Sequence, residues 1–184
     1  MKMSRRKQGD ESGSINIDAA LFPFGPPKLD SEKDRMFDLY KIMVTSSESL
    51  VGRRQGLNTF FLTLNGVLIS AIGLFVRIHG QAKVTSSAVF TLSLVGFVLA
   101  NAWKSLITSF GQLNRGKFEV ISRIEQLLPV AIFAAEWKAL AEGKNPKIYR
   151  TFTDKEVWVP KIFTYIYLMV MAISLSIAIG FWTP

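Results

Sequence analysis

TFFLTLNGVLISAIGLFV, Thr59 to Val76, contains no charged residue, and after the turn Arg77 to Lys83 a second charge-free run, VTSSAVFTLSLVGFVLANAW, extends from Val84 to Trp103. At about 1.5 Å of rise per helical residue, each run with its flanks crosses a hydrocarbon core about 30 Å thick. Backbone in lipid must satisfy its own hydrogen bonds, so two such runs joined by so short a turn predict an antiparallel transmembrane hairpin. A third run, Ile162 to Pro184, closes the sequence. The expected fold class is an all-α integral membrane protein with three transmembrane helices.

Of the 184 residues, 49% are hydrophobic. Three spans take up roughly a third of the chain, which leaves no room for a large catalytic domain. The first span begins too late to be a signal peptide, so the spans themselves are expected to carry the targeting information. With no cysteine and a single histidine, His79, neither disulfides nor a thiolate or histidine metal site is expected. The carboxylates Glu119, Glu125, Glu136, Glu142 and Glu156 are scattered among basic neighbours, and no nucleophile with a base or glycine-rich phosphate loop accompanies them. The expectation is a non-enzyme without a cofactor.

The net charge of +8 is placed where topology needs it. All 14 acidic residues, and every Lys or Arg except Arg77 and Lys83, precede Thr59 or lie between Lys104 and Lys161. The positive-inside rule therefore puts the N-terminus and the middle region in the cytoplasm of a bacterial inner membrane, with the Arg77–Lys83 turn and the C-terminus outside. Arg53, Arg54, Lys104 and Lys161 flank the spans at one face and suit anionic lipid headgroups. Nucleic acid is not an expected partner; membrane lipids are.

Taken in order, residues 1–30 read as a disordered or extended tail, with Phe22, Phe24 and three prolines able to dock in a groove, a neighbouring subunit being one host. Residues 31–56 read as an amphipathic cytoplasmic helix opened by a capping box at Ser31–Asp34, with Phe37, Tyr40, Val44, Ser47 and Val51 on one face. It continues into the first span, 57–77, and projects roughly 36 Å below the membrane. The second span, 84–105, likewise continues: Leu106, Phe110, Leu113, Lys117 by its stem, Val120, Ile124 and Leu128 keep the period until Pro129 stops it. The region 106–160 also holds a short helix from Val130 to Ala141, anchored by Phe133 and Trp137, and a Thr153-x-x-Glu156 capping box ahead of the third span, 161–182. Pro160 predicts a bend, and Trp158 and Trp182 bracket that span in the interfacial belts. The two helical extensions are expected to pack as an antiparallel layer.

Polar residues within spans mark function or packing. Arg54, Asn58 and Asn65 share one helix face, and Asn101, Ser105, Thr108 and Gln112 form a stripe at spacings of four and three. These seven are the candidate polar lining of a conduit assembled from several copies, since three helices cannot enclose one alone. The alternative is that Asn65 and Asn101 are interhelical glue, each hydrogen-bonded across the hairpin.

The middle region carries a further signal. Lys117-Phe118-Glu119-Val120-Ile121, Ile124-Glu125, Leu127-Leu128-Pro129, Glu136-Trp137, Tyr149, Phe152-Thr153, Glu156 and Val159-Pro160 resemble the RipA-like small integral membrane proteins of bacteria, as do Arg53-Arg54-Gln55, Asn58, Trp103 and Leu113-Asn114. The resemblance covers roughly Phe37 to Phe181. It implies a homo-oligomeric ring of eight subunits, and it makes Lys117, Glu119, Glu125, Pro129, Glu136, Trp137, Glu156 and Pro160 family-like positions. The leading expectation is a pore-like or scaffold assembly, with a channel the favoured form. The rival is a membrane-anchored module that captures an unidentified cytoplasmic protein, nucleotide or nucleic acid through a concave cluster of Lys117, Arg123, Lys138, Lys144, Lys147 and Arg150.

Overall fold

The structure is a computed structural model and describes residues 16–78, 82–145, 147–148 and 155–180. Residues 1–15, His79, Tyr149 to Asp154 and Trp182 lie outside the described residues, and with them the first half of the N-terminal tail, the turn tip, Arg150 and the Thr153 half of the second capping box. Among the described residues five α-helices follow one another: α1 (Ile17–Leu21), α2 (Asp30–Ile78), α3 (Ala82–Glu125), α4 (Ile132–Ala139) and α5 (Trp158–Ala178). No strand occurs among the described residues.

Two long helices dominate. The 49 residues of α2 and the 44 of α3 correspond to about 73 Å and 66 Å, more than twice what a bilayer core requires. Each joins an apolar span to an extramembrane continuation without a break. The start of α2 lies one residue earlier than its Ser31 capping box predicts. Glu32 reaches back and accepts hydrogen bonds from the backbone N–H groups of Lys28 and Leu29 at 2.8 and 3.0 Å. Glu32 thus plays the acidic part of a capping box whose first position is Leu29, and those two bonds hold its carboxyl below the usual carboxylate range. At the other end, α3 stops at Glu125, four residues ahead of Pro129, because the chain tightens into i→i+3 bonds from Leu127 and Leu128.

Which residues face inward differs from the sequence expectation by a small rotation. The buried face of α2's extension is Met36, Tyr40, Ser47 and Leu50, while Phe37 and Val51 are exposed; on α3 it is Trp103, Ile107, Ile121 and Ile124, while Leu106 and Leu113 are half exposed. Apolar residues occupy both alternatives, so periodicity alone does not choose. Polar partners across the pair do: Ser47 donates to Asn114 Oδ1, Lys117 Nζ donates to Ser46, and Trp103 Nε1 donates to Asn58 Oδ1 at 2.9 Å. A turn in the other direction would leave these groups without each other.

Three apolar clusters stack along the molecule. At the extramembrane end Met36, Tyr40, Ile121 and Ile124 are joined by Leu21, Phe22 and Phe133. This cluster lies beyond the charge-free runs, and withdrawing each such side chain from water stabilises by about 1.5–3 kcal/mol. The segment read as an extended tail is partly helical here: α1 is capped by Asn16 and folds back on its own chain, with Asp18 3.6 Å from Arg123. At the start of the spans Phe61, Trp103 and Ile107 pack with Leu57 and Phe163. Deeper, Ile72, Val89, Ala100 and Tyr167 close the three-helix contact.

Candidate functional site

Arg54, Asn58 and Asn65 fall on the inner face of α2 and are occupied inside the protomer. Asn65 is fully buried. Its Nδ2 donates to the Phe61 carbonyl at 2.8 Å and its Oδ1 accepts from the Tyr167 hydroxyl at 2.9 Å. Tyr167 reaches it by crossing Gly96, where a Cβ would overlap the tyrosine ring. One glycine, one amide and one phenol therefore fasten α2, α3 and α5 together, and the partner of Asn65 is in the third span rather than across the hairpin in α3. Asn101 does not bond across the hairpin either: its Nδ2 donates to the Phe97 carbonyl of its own helix at 2.8 Å.

Arg54 meets Glu156, Nε to Oε2 3.3 Å, with the two side chains 12% and 24% exposed. That pair ties the entry of α5 to α2. Its cost of desolvation is high, so the arrangement fixes geometry more than it adds stability. Pro160, also buried, stands in the first turn of α5, where a missing N–H costs little. The helix is interrupted at Val157, just ahead of it.

Glu125 is the most connected family-like residue. It is fully buried; it accepts from the Tyr40 hydroxyl at 3.0 Å and from the backbone N–H groups of Phe133 and Ala134 at 2.9 and 3.0 Å. Those amides belong to the first turn of α4, whose own N-cap, Ala131, offers no side-chain bond. A carboxylate here satisfies orphan donors and the positive end of the helix together. Burial, then the bond to Glu125, pushes the Tyr40 phenol up to about 12. Of the other family-like positions, Lys117 is partly buried against Ser46, whereas Glu119, Pro129 and Glu136 are exposed. Trp137 is 47% exposed and lies against Gly143 instead of anchoring α4 in the core; Phe133 alone does that.

The remaining candidates behave differently. Asn101, Lys104, Ser105, Thr108, Ser109 and Gln112 line one shallow concavity on the outward side of α3. Thr108 and Ser109 turn their hydroxyls to carbonyls of their own helix. Position 101 lies two residues from buried Trp103 and is thus about 160° around the helix from it, so the stripe points away from α2; Asn101 itself is half-buried, one turn from Phe97, which packs against the Tyr167 cluster. Periodicity groups the α2 and α3 polar residues as one lining; the structure separates them into an interior set and an outward set. The basic residues are paired in part, and Lys138 and Lys144 both lie near Glu142. Lys117 pairs with Ser46, Arg123 with Asp18 and Lys144 with Glu142, while Lys138 and Lys147 are exposed.

A hairpin of two helices that each run from the membrane far into water, closed by a third span and held by buried polar pairs, defines a small three-span helical membrane protein. Residues 37–176 match the model of the octameric membrane protein family (8xMP), and the chain belongs to that family. No curated protein and no solved structure matched the chain.

Proposed function

We propose that eight copies close into a ring across the bacterial inner membrane, with the α2–α3 extensions in the cytoplasm, and that the ring is a non-catalytic, channel-like assembly. The observation that carries this reading is the outward polar edge of α3. Among the described residues, Lys104 and Thr108 are exposed and Asn101 is half-buried beside them, where the second apolar run ends. Polar side chains at that depth are costly against lipid and are cheap against water or a neighbouring subunit. Family membership supplies the neighbours.

Along the same edge, further into the membrane, α3 carries Phe90 and Leu94. A conduit built from it is polar at its cytoplasmic half and apolar at the other, the arrangement in which a pore closes by dewetting. A ring of Lys104 side chains at the mouth favours anions. The test is ion flux in proteoliposomes. Wild-type protein is expected to pass small anions, Leu94→Ser to raise the flux, and Lys104→Gln to weaken the anion preference. An intact ring that passes no ions, either as wild type or as the Leu94→Ser variant, overturns the conduit and leaves a scaffold.

A further inference from the structure

The protomer leaves two helix faces uncovered on opposite sides of the hairpin. On α2, from Thr45 to Gly73, every third or fourth residue of one face is Gly, Ser or Thr, with Gly52, Gly56, Thr59, Thr63 and Gly66 at its centre, and all are exposed. This face lies two positions from the buried one, hence about 200° around the helix. A Cβ placed on Gly52, Gly56, Gly66 or Gly73 meets nothing within 4 Å. On α3 the exposed residues Ala102, Ser105, Ser109 and Gly116 make a second, less continuous small face, with Val98 beyond Ala102 and Gln112 and Leu113 flanking it between Ser109 and Gly116, beside the polar edge. Below the span both faces run through water, and half-exposed Leu106 and Leu113 border the second. Lipid cannot cover that part.

The heights of the two faces agree. Inside the protomer Asn58 is level with Trp103 and Ser47 with Asn114. Counting outward from those pairs sets Thr59 level with Ala102, Gly56 with Ser105, Gly52 with Ser109 and Thr45 with Gly116. Rotation about an axis along the membrane normal preserves height, so residues level within one copy are level between neighbouring copies. Head-to-tail contacts that close a ring need two different, complementary faces on one subunit. Small residues on both let helix backbones approach closely, which is how helices associate in lipid.

We propose that the Thr45–Gly73 face of α2 is the seat for α3 of the next copy, small face against small face at equal height. This rests on the ring reading above and adds which surfaces build it. The natural absence of cysteine makes the test direct. Thr59→Cys combined with Ala102→Cys, and separately Ser49→Cys with Gln112→Cys, places two thiols at one height on opposite sides of a protomer. Their Cα atoms are then roughly 14 Å apart by helix radius and packing distance, too far to bridge within one chain.

Oxidation of the membrane-embedded double variants is expected to give a denaturing-gel ladder reaching eight chains, and the single variants none. A third variant, Gly56→Leu, is expected to convert the detergent-solubilised ring to smaller species. If the double variants keep the native mass of the ring yet give no ladder, or if Gly56→Leu assembles as wild type does, the interface lies elsewhere and this inference fails. A wild-type protein that is monomeric by native mass instead refutes the ring itself.

Discussion

Replacing Glu125 isolates the polar hub of the extramembrane layer. The carboxylate accepts three hydrogen bonds, from Tyr40, Phe133 and Ala134, all between 2.9 and 3.0 Å. Bonds to a charged acceptor contribute about 1.5–3 kcal/mol each, without full additivity, and loss of a helix cap costs about 0.5–2 kcal/mol. Glu125→Ala removes all three acceptors and also leaves a void, so a loss of about 3–5 kcal/mol is expected. Glu125→Gln keeps one acceptor oxygen and presents an N–H where the second was, for a loss of about 1–2 kcal/mol. Amide hydrogen exchange followed by mass spectrometry reads the effect locally. A loss of about 3 kcal/mol speeds exchange across α4 by roughly a hundredfold, while α5 residues within the membrane are expected to be unchanged. Should Glu125→Ala leave exchange over residues 132–139 as in wild type, the carboxylate is not what holds α4, and its role as a hub is refuted.

Gly96→Ala drives a methyl group into the Tyr167 ring; overpacking of about 1–3 kcal/mol exceeds the roughly 1 kcal/mol that alanine gains in a helix, so the detergent melting temperature is expected to fall, and adding Tyr167→Leu to restore part of it. Glu156→Gln strands Arg54, which is only 12% exposed, and about 1–3 kcal/mol of stability is expected to go, less than for a fully buried pair because Glu156 still touches solvent; the charge-swapped double variant, Arg54→Glu with Glu156→Arg, recovers part of it in the same melt. The Tyr40 phenol, pushed up to about 12 in the fold, is neutral in the native layer and ionises near its ordinary value of about 10 when unfolded. Its contribution is fully present below about pH 10 and is lost as pH rises toward about 12; a pH titration of stability should show this loss in wild type and lack it in Tyr40→Phe.

Much of the architecture is written in composition and period. The absence of charge from Thr59 to Val76 and from Val84 to Trp103 specifies the hairpin, and the continued three–four spacing through Lys117 and Ile124 specifies its extension. The rotational setting is not so written. Phe37 and Met36, or Leu113 and Asn114, are adjacent choices for the same inward position, and only a partner far along the chain decides between them. Asn65 shows the same limit: its polarity within a span marks it, but its partner, Tyr167, becomes visible only with the helix crossing that Gly96 allows. Glu125 has no local signal, because the amides it caps belong to another helix. The stripe on α3 is legible because it is periodic. Its separation from Arg54, Asn58 and Asn65 requires knowing which side of each helix is inside.

A closed ring with the polar edge of α3 on its axis is tested most directly by single-particle imaging of the protein in lipid nanodiscs. The expected map has eight subunits, α5 at the lipid-facing rim, Asn101, Lys104 and Thr108 around a water-wide axis, and α2 of one copy seated on α3 of the next. A ring with those three residues against lipid, an apolar lipid-filled centre, or particles that are single chains would contradict it.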